Sequence, residues 1–263
     1  MGKHSTSGFT IIETMLVLAI TGLLVASLLA GIGTSIGVQR YKDSVTTLKS
    51  TIQDQYARVN NVSNGRDSGW SCENDATPAA VTNGTGKSAG QSDCVLMGRY
   101  LSIVDGTITT ASVVGYPNST ADDTSLTDIA LTKQNYTFGI AQDSVETNTI
   151  EWGSTITIPG VSERQAFAMF ILRSPTNGSL YTFTAKNTVV QDIQNVNSAA
   201  LENMVVESTT DVPGQGARTL CVDPDGALVT EKYAIYINAV ATGPTSIESR
   251  TNTTSKKLGG PSC

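Results

Sequence analysis

Residues 9–38 read FTIIETMLVLAITGLLVASLLAGIGTSIGV, an apolar run interrupted by a single charge, Glu13. As a helix this run is about 45 Å long, enough to cross a hydrocarbon layer of about 30 Å. No other stretch of the chain is both as long and as apolar. The run predicts one membrane anchor, and everything beyond it must fold on one side of that anchor. An ordinary secretory signal has an apolar core of roughly 7–15 residues that ends at a small-x-small site. Here the core is about twice that length, although Gly31-Ile32-Gly33 has the form of such a site. A plain signal anchor accounts for the length but not for an acid near its start. An ionised carboxylate costs about 2.5–3.5 kcal/mol at the centre of a bilayer and less near its surface, so such groups are usually paired or functional. A simpler role for Glu13 is to complement the helix dipole, worth about 0.3–1 kcal/mol. The two roles are compatible.

A third account explains the acid as well as the length. Ser7-Gly8-Phe9-Thr10-Ile11-Ile12-Glu13 places a glycine, a phenylalanine, a hydroxyl residue, two aliphatics and a glutamate immediately before the apolar run. The preceding MGKHSTSG is short, polar and carries Lys3. This arrangement resembles the prepilin processing motif, and from Gly8 to about Ile36 the chain is similar to the type IV pilin and pseudopilin family. The resemblance implies that a prepilin peptidase cuts between Gly8 and Phe9 on the cytoplasmic side and N-methylates the new amine of Phe9. It implies that Glu13 then pairs with that amine on a neighbouring subunit during assembly. The implied partners are other pilin subunits in a helix bundle, the peptidase, an inner-membrane assembly platform and the membrane itself. The implied location is a single pass in the cytoplasmic membrane with the head outside, followed by a surface filament. Flanking charge does not decide that orientation, because Lys3 precedes the span while Arg40 and Lys42 follow it. One departure is visible. Many pilins carry a proline midway along this helix; here Gly22, Gly31, Gly33 and Gly37 occur instead. They suit either local unwinding or close approach of neighbouring helices.

Beyond the apolar run, Val38, Tyr41, Val45, Leu48, Ile52, Tyr56, Val59 and Val62 recur at spacings of three and four. This amphipathic stripe predicts that the helix continues to about residue 62, with Asn64-Gly65 as its stop. It would pack on a globular head or, alternatively, form a short coiled-coil stalk. Residues 65–93 are rich in Gly, Asn, Ser, Asp and Thr and read as a surface loop. Strand-like stretches follow at residues 95–104 and 107–116, around Asp105-Gly106, and at 136–141 and 149–158. Further strands are predicted at 166–172 and 179–185 around Pro175-Thr176-Asn177-Gly178, at 219–222, at 228–233 after Asp223-Pro224-Asp225-Gly226, and at 234–240. Residues 188–204 fit a short helix or a mixture of strand and loop, and the polar tail from Thr242 reads as loose as far as Cys263. The expected fold class is α+β: a leader at residues 1–8, a long helix at 9–64 with its transmembrane part at about 9–38, and a β-rich extracytoplasmic head at 65–263.

The four cysteines, Cys72, Cys94, Cys221 and Cys263, suit two disulfides in an oxidising compartment. Three pairings are open, and the nearest-neighbour one, Cys72 with Cys94 and Cys221 with Cys263, is the simplest. None of the four has the close paired spacing of a zinc site. The only histidine, His4, lies in the expected leader, which leaves the mature chain without histidine triads or histidine metal ligands. Asp122-Asp123 and Asp223-Pro224-Asp225-Gly226 lack the spacing of an EF-hand loop, so no metal or other cofactor is expected. No phosphate-binding glycine loop is present, and no catalytic constellation suggests an enzyme. A net charge of −6 argues against nucleic-acid binding by bulk electrostatics, though a local patch is compatible with it. The resemblance points to a structural filament subunit, with a minor one favoured by the size of the head. It leaves open a pseudopilin of a type II secretion or DNA-uptake machine, and a tip adhesin whose head takes a surface or DNA ligand.

Overall fold

The computed structural model describes residues 8, 10–61, 70–72, 76, 78–80, 92–118, 125–161, 163–185, 193, 196–205, 218–224, 226, 229–238, 242–259, 261 and 263. Residues 1–7 of the leader, Phe9, Val62, the Asn64-Gly65 stop, most of the 65–93 loop, Asp122, Asp123, Asp225, Leu228 and residues 188–192, 194–195 and 239–240 lie outside them.

Helix α1 runs unbroken from Ile11 to Asn60. Fifty residues at 1.5 Å each make it about 75 Å long. Its first half is exposed on all sides, and its second half buries one stripe: Tyr41, Val45, Leu48, Ile52, Tyr56 and Val59. All six are apolar or aromatic and lie three or four residues apart, so a single helix face is covered. The stripe lies in a packed head and does not form a stalk.

Among the described residues the head contains three antiparallel sheets. A short ribbon pairs β1 (Trp70–Cys72) with β2 (Pro78–Ala80). The main sheet has the order β5-β4-β3-β8-β9, made from β3 (Val95–Val104), β4 (Thr107–Pro117), β5 (Tyr136–Ile140), β8 (Phe167–Arg173) and β9 (Leu180–Ala185). Strand β6 (Glu146–Thr149) shares the edge of β4 with β5, pairing with Thr107–Thr110 while β5 pairs with Val113–Pro117. The third sheet has the order β12-β11-β10-β7, from β7 (Thr155–Thr157), β10 (Arg218–Asp223), β11 (Tyr233–Ile237) and β12 (Ile247–Thr251). Helices α2 (Asp128–Asn135), α3 (Ser198–Met204) and α4 (Asn252–Lys257) complete the described α-helices. The fold is α+β.

Strand alternation gives the main sheet two cores. On one face Phe167, Met169 and Ile171 of β8, with Leu101 and Ile103 of β3, meet the stripe of α1. On the other face Ala168, Phe170 and Leu172, with Tyr100, Val113 and Phe183, meet Leu201 and Met204 of α3. A β-bulge at Met97 shifts the β3–β4 register between Leu96 and Gly98, which turns Met97 into the second core beside Tyr100. Glycine is required next to it: a Cβ on Gly98 would lie 1.9 Å from the carbonyl oxygen of Ile171.

Several expectations are corrected. The strand expected at 149–158 is two strands separated by a 3-10 turn at Glu151–Gly153, because Trp152 and Gly153 both adopt positive φ and break the extended path. Residues 229–232 are not in a strand; β11 begins only at Tyr233, where pairing with Val222 starts. The tail is not loose. Ile247–Thr251 forms an edge strand on β11, and Asn252–Lys257 forms a helix capped by Thr251. Asp105 and Gly106, with φ 49° and 78°, make the tight β3–β4 turn that their sequence suggests.

Candidate functional site

The first turn of α1 is organised by Thr10, whose side chain accepts a hydrogen bond from the backbone N–H of Glu13 at 3.3 Å. Thr10-Ile11-Ile12-Glu13 has the Thr-x-x-Glu spacing of a capping box, a helix-start signal that the processing motif concealed. Glu13 is exposed and makes no ion pair among the described residues. Phe9, whose amine on a neighbouring subunit is the expected partner of Glu13, lies outside the described residues.

From Ile11 to Ile36 the large apolar side chains stand exposed: Ile11 is 78% exposed and Leu23 72%. No described element of the head covers them. Four hydroxyls in this segment turn inward to the helix. Thr14 donates to the carbonyl of Ile11 at 2.9 Å, Thr21 to Val17 at 2.7 Å, Ser27 to Leu24 at 2.8 Å and Thr34 to Gly31 at 2.9 Å. Each therefore enters lipid, or a bundle of other helices, with its polar group already satisfied. The helix is long and apolar enough to cross a membrane. A Cβ on Gly22, Gly31 or Gly33 would meet nothing within 4 Å, so no contact among the described residues requires glycine there.

At Tyr41 the helix enters the head. The Tyr41 hydroxyl donates to the carbonyl of Val222 at 2.8 Å and accepts from the N–H of Tyr233 at 2.7 Å. Further along, Gln55 of α1 accepts from the Arg99 guanidinium at 2.9 Å. Arg99 is 3% exposed and also donates to Ser112 and Thr110 of β4, at 3.0 and 3.3 Å. Burial, followed by repulsion from Arg58, holds its pKa below the ordinary arginine range. Arg58 bridges Asp54 on α1 and Glu146 on β6. These polar ties fix how far α1 slides along the main sheet, which its apolar stripe alone would leave loosely specified. Arg99 was not marked out by the sequence, since it sits in a strand between apolar neighbours.

The four cysteines lie in the head. Cys72 is bonded to Cys94 and Cys221 to Cys263, with Cα separations of 5.8 and 5.5 Å. The first pair ties the β1–β2 ribbon to the start of β3, and the second ties the tail to the middle of β10. Asp223, of the acidic turn, pairs with Lys232 at 2.9 Å.

Residues 3–29 match the family model of the prokaryotic N-terminal methylation motif. The chain thus carries a prepilin domain of the type IV pilin and pseudopilin class at its N-terminus. No curated protein and no solved structure matches it. The methylation motif and the exposed apolar helix fit a membrane-anchored structural subunit that assembles with other pilins.

Proposed function

We propose that this protein is a structural subunit, of the minor kind, in a type IV pilus-like filament. In this reading residues 1–8 are the leader, 9–64 the assembly helix and 65–263 the displayed head. The peptidase cuts between Gly8 and Phe9 and methylates the Phe9 amine. The subunit waits in the cytoplasmic membrane with its head outside and then leaves the bilayer to join a filament.

One observation carries this reading: α1 exposes an apolar half of about 26 residues with a single acid, Glu13, that has no partner within the described chain. An apolar helix leaving lipid must rebury its surface, and a bundle of identical helices does so. A carboxylate moved into that bundle needs a cation. Methylation leaves the Phe9 amine charged, so the amine of a neighbouring subunit supplies it and sets the axial register. The size of the head, with three sheets among its described residues, favours a minor position over the repeating body of the filament.

The test is Glu13→Ala in a strain expressing the peptidase. Membrane levels of the subunit should match wild type, because removing a charge does not hinder insertion. Incorporation into sheared filaments should fall about tenfold or more, the loss expected when one charge of a buried pair is removed. Wild-type incorporation of Glu13→Ala would contradict the assembly role. Microscopy of filaments with labelled heads then distinguishes long surface fibres from short envelope-bound ones, and so a pilus from a secretion machine.

A further inference from the structure

Trp152 is anomalous in three ways. It is 55% exposed, the largest aromatic among the exposed hydrophobics described. It adopts φ 59° and ψ 28°, a left-handed conformation that is costly for a bulky residue. Its ring also carries the guanidinium of Arg40 at 4.7 Å from the centroid. Strain at a buried anchor would be offset by packing, but here more than half of the residue's surface stays uncovered.

Its position gives the surface a direction. The preceding residue, Glu151, accepts from the Thr47 hydroxyl at 3.4 Å, while Trp152 meets Arg40. Thr47 lies seven residues further along α1, about 10 Å farther from the apolar half. Trp152 is therefore the end of this turn that faces the membrane. Arg40 stands four residues, about 6 Å, beyond Ile36, the last exposed large apolar residue of α1. With a hydrocarbon core of about 30 Å and a total thickness of about 40–45 Å, each headgroup layer is about 5–7 Å deep. With Ile36 set at the outer edge of the hydrocarbon core, Ile11, about 38 Å away, reaches the inner headgroup layer and the Arg40–Trp152 pair falls within the outer one, where tryptophan is favoured because its ring is apolar and its N–H polar. The remaining guanidinium N–H groups of Arg40 suit lipid phosphate oxygens.

We propose that Trp152 and Arg40 form a lipid-headgroup clamp that seats the head on the outer leaflet while the subunit is stored in the membrane. The partner is the phosphate-bearing interface of the bilayer, continuous with the span of α1. The clamp lets go on assembly, when the helix leaves the bilayer. It depends on α1 spanning the membrane and not on processing or filament formation, so an uncleaved chain should show it equally.

The full chain with Trp70→Phe, which leaves Trp152 as the sole tryptophan, should be placed in vesicles of phosphatidylethanolamine and phosphatidylglycerol. Lipids spin-labelled at the headgroup or deep in the acyl chain, and aqueous acrylamide, then report its depth. Headgroup labels should quench Trp152 at least threefold more than deep labels, and acrylamide should quench it less than it quenches free tryptophan. Arg40→Ala should lower the headgroup quenching at least twofold with the unfolding temperature unchanged. Full acrylamide access without headgroup quenching would overturn the proposal. So would quenching protection that appears only as the protein-to-lipid ratio is raised, which would assign the surface to a second copy of the chain.

Discussion

The Tyr41 hydroxyl takes a hydrogen bond from the backbone N–H of Tyr233 at 2.7 Å, and the two rings meet edge to face with centroids 5.9 Å apart. The same hydroxyl donates to Val222, which is paired with Tyr233 across β10 and β11. One side chain of α1 thus closes the end of a β-ladder at the level where the helix passes from exposed to buried. Tyr41→Phe keeps the ring and removes both bonds, leaving the Val222 carbonyl and Tyr233 N–H without this partner. It should cost about 1–3 kcal/mol. Denaturant unfolding of the full chain in detergent, followed by near-UV circular dichroism, measures this; an unchanged midpoint would show that the strut contributes nothing.

Burial pushes the Tyr41 and Tyr56 hydroxyls up from 10.0 to about 12. For Tyr56 the bond to Thr182, at 2.9 Å, opposes the rise without cancelling it. The folded head therefore retains these protons at pH values where the unfolded chain has lost them. Their contribution to stability is complete below pH 10 and is lost as pH rises through about 12. Thermal melts should be flat from pH 8 to 10 and fall steeply above it, with tyrosinate absorbance rising together with unfolding. Titration of every tyrosine near 10 in a chain that remains folded would count against the packing described.

Much of this arrangement was legible in the sequence. The stripe from Tyr41 to Val59 has one period over several turns, so its burial follows from helix geometry alone. Asp105-Gly106 specifies its own turn. Other features depended on contacts that local sequence does not encode. Ile247–Thr251 has a single buried apolar residue, Ile247, and becomes a strand only because β11 offers an unpaired edge. Helix α2 has a weak apolar face; its start is fixed by the Thr127 cap, and Asp128 is held by Ser174 and Tyr181 at 2.8 and 2.9 Å. At the candidate site Glu13 was conspicuous because a charge in an apolar run has no local justification. Arg99 was inconspicuous because its partners, Gln55, Thr110 and Ser112, come from two other elements.

Arg99→Lys tests the polar tie between helix and sheet. A lysine keeps the charge but cannot offer a planar fork to Gln55, Ser112 and Thr110 together. The loss should be about 1.5–3 kcal/mol, the range for hydrogen bonds to a charged group. Hydrogen exchange should quicken in β3 and in residues 51–60 of α1 before it does in β11. Uniform exchange across the head would mean that Arg99 does not set the docking of the helix.

Cys263→Ser removes the tie between the tail and β10, which closes a loop with a sequence separation of 42. The chain-entropy account gives about 4 kcal/mol for such a loop. The variant should lose protease resistance first in residues 252–263, since α4 is short and mostly exposed. If cleavage there were no faster than in the parent, the bond would be dispensable for anchoring the tail.

The most direct test of the account is the mass of the mature N-terminal peptide, from cells with and without an active prepilin peptidase. The account expects a chain that begins at N-methylated Phe9 when the peptidase is active and an intact leader when it is not. An N-terminus unchanged by the peptidase, or a cut near Gly33, would make α1 an ordinary anchor or signal and contradict the assembly role of Glu13.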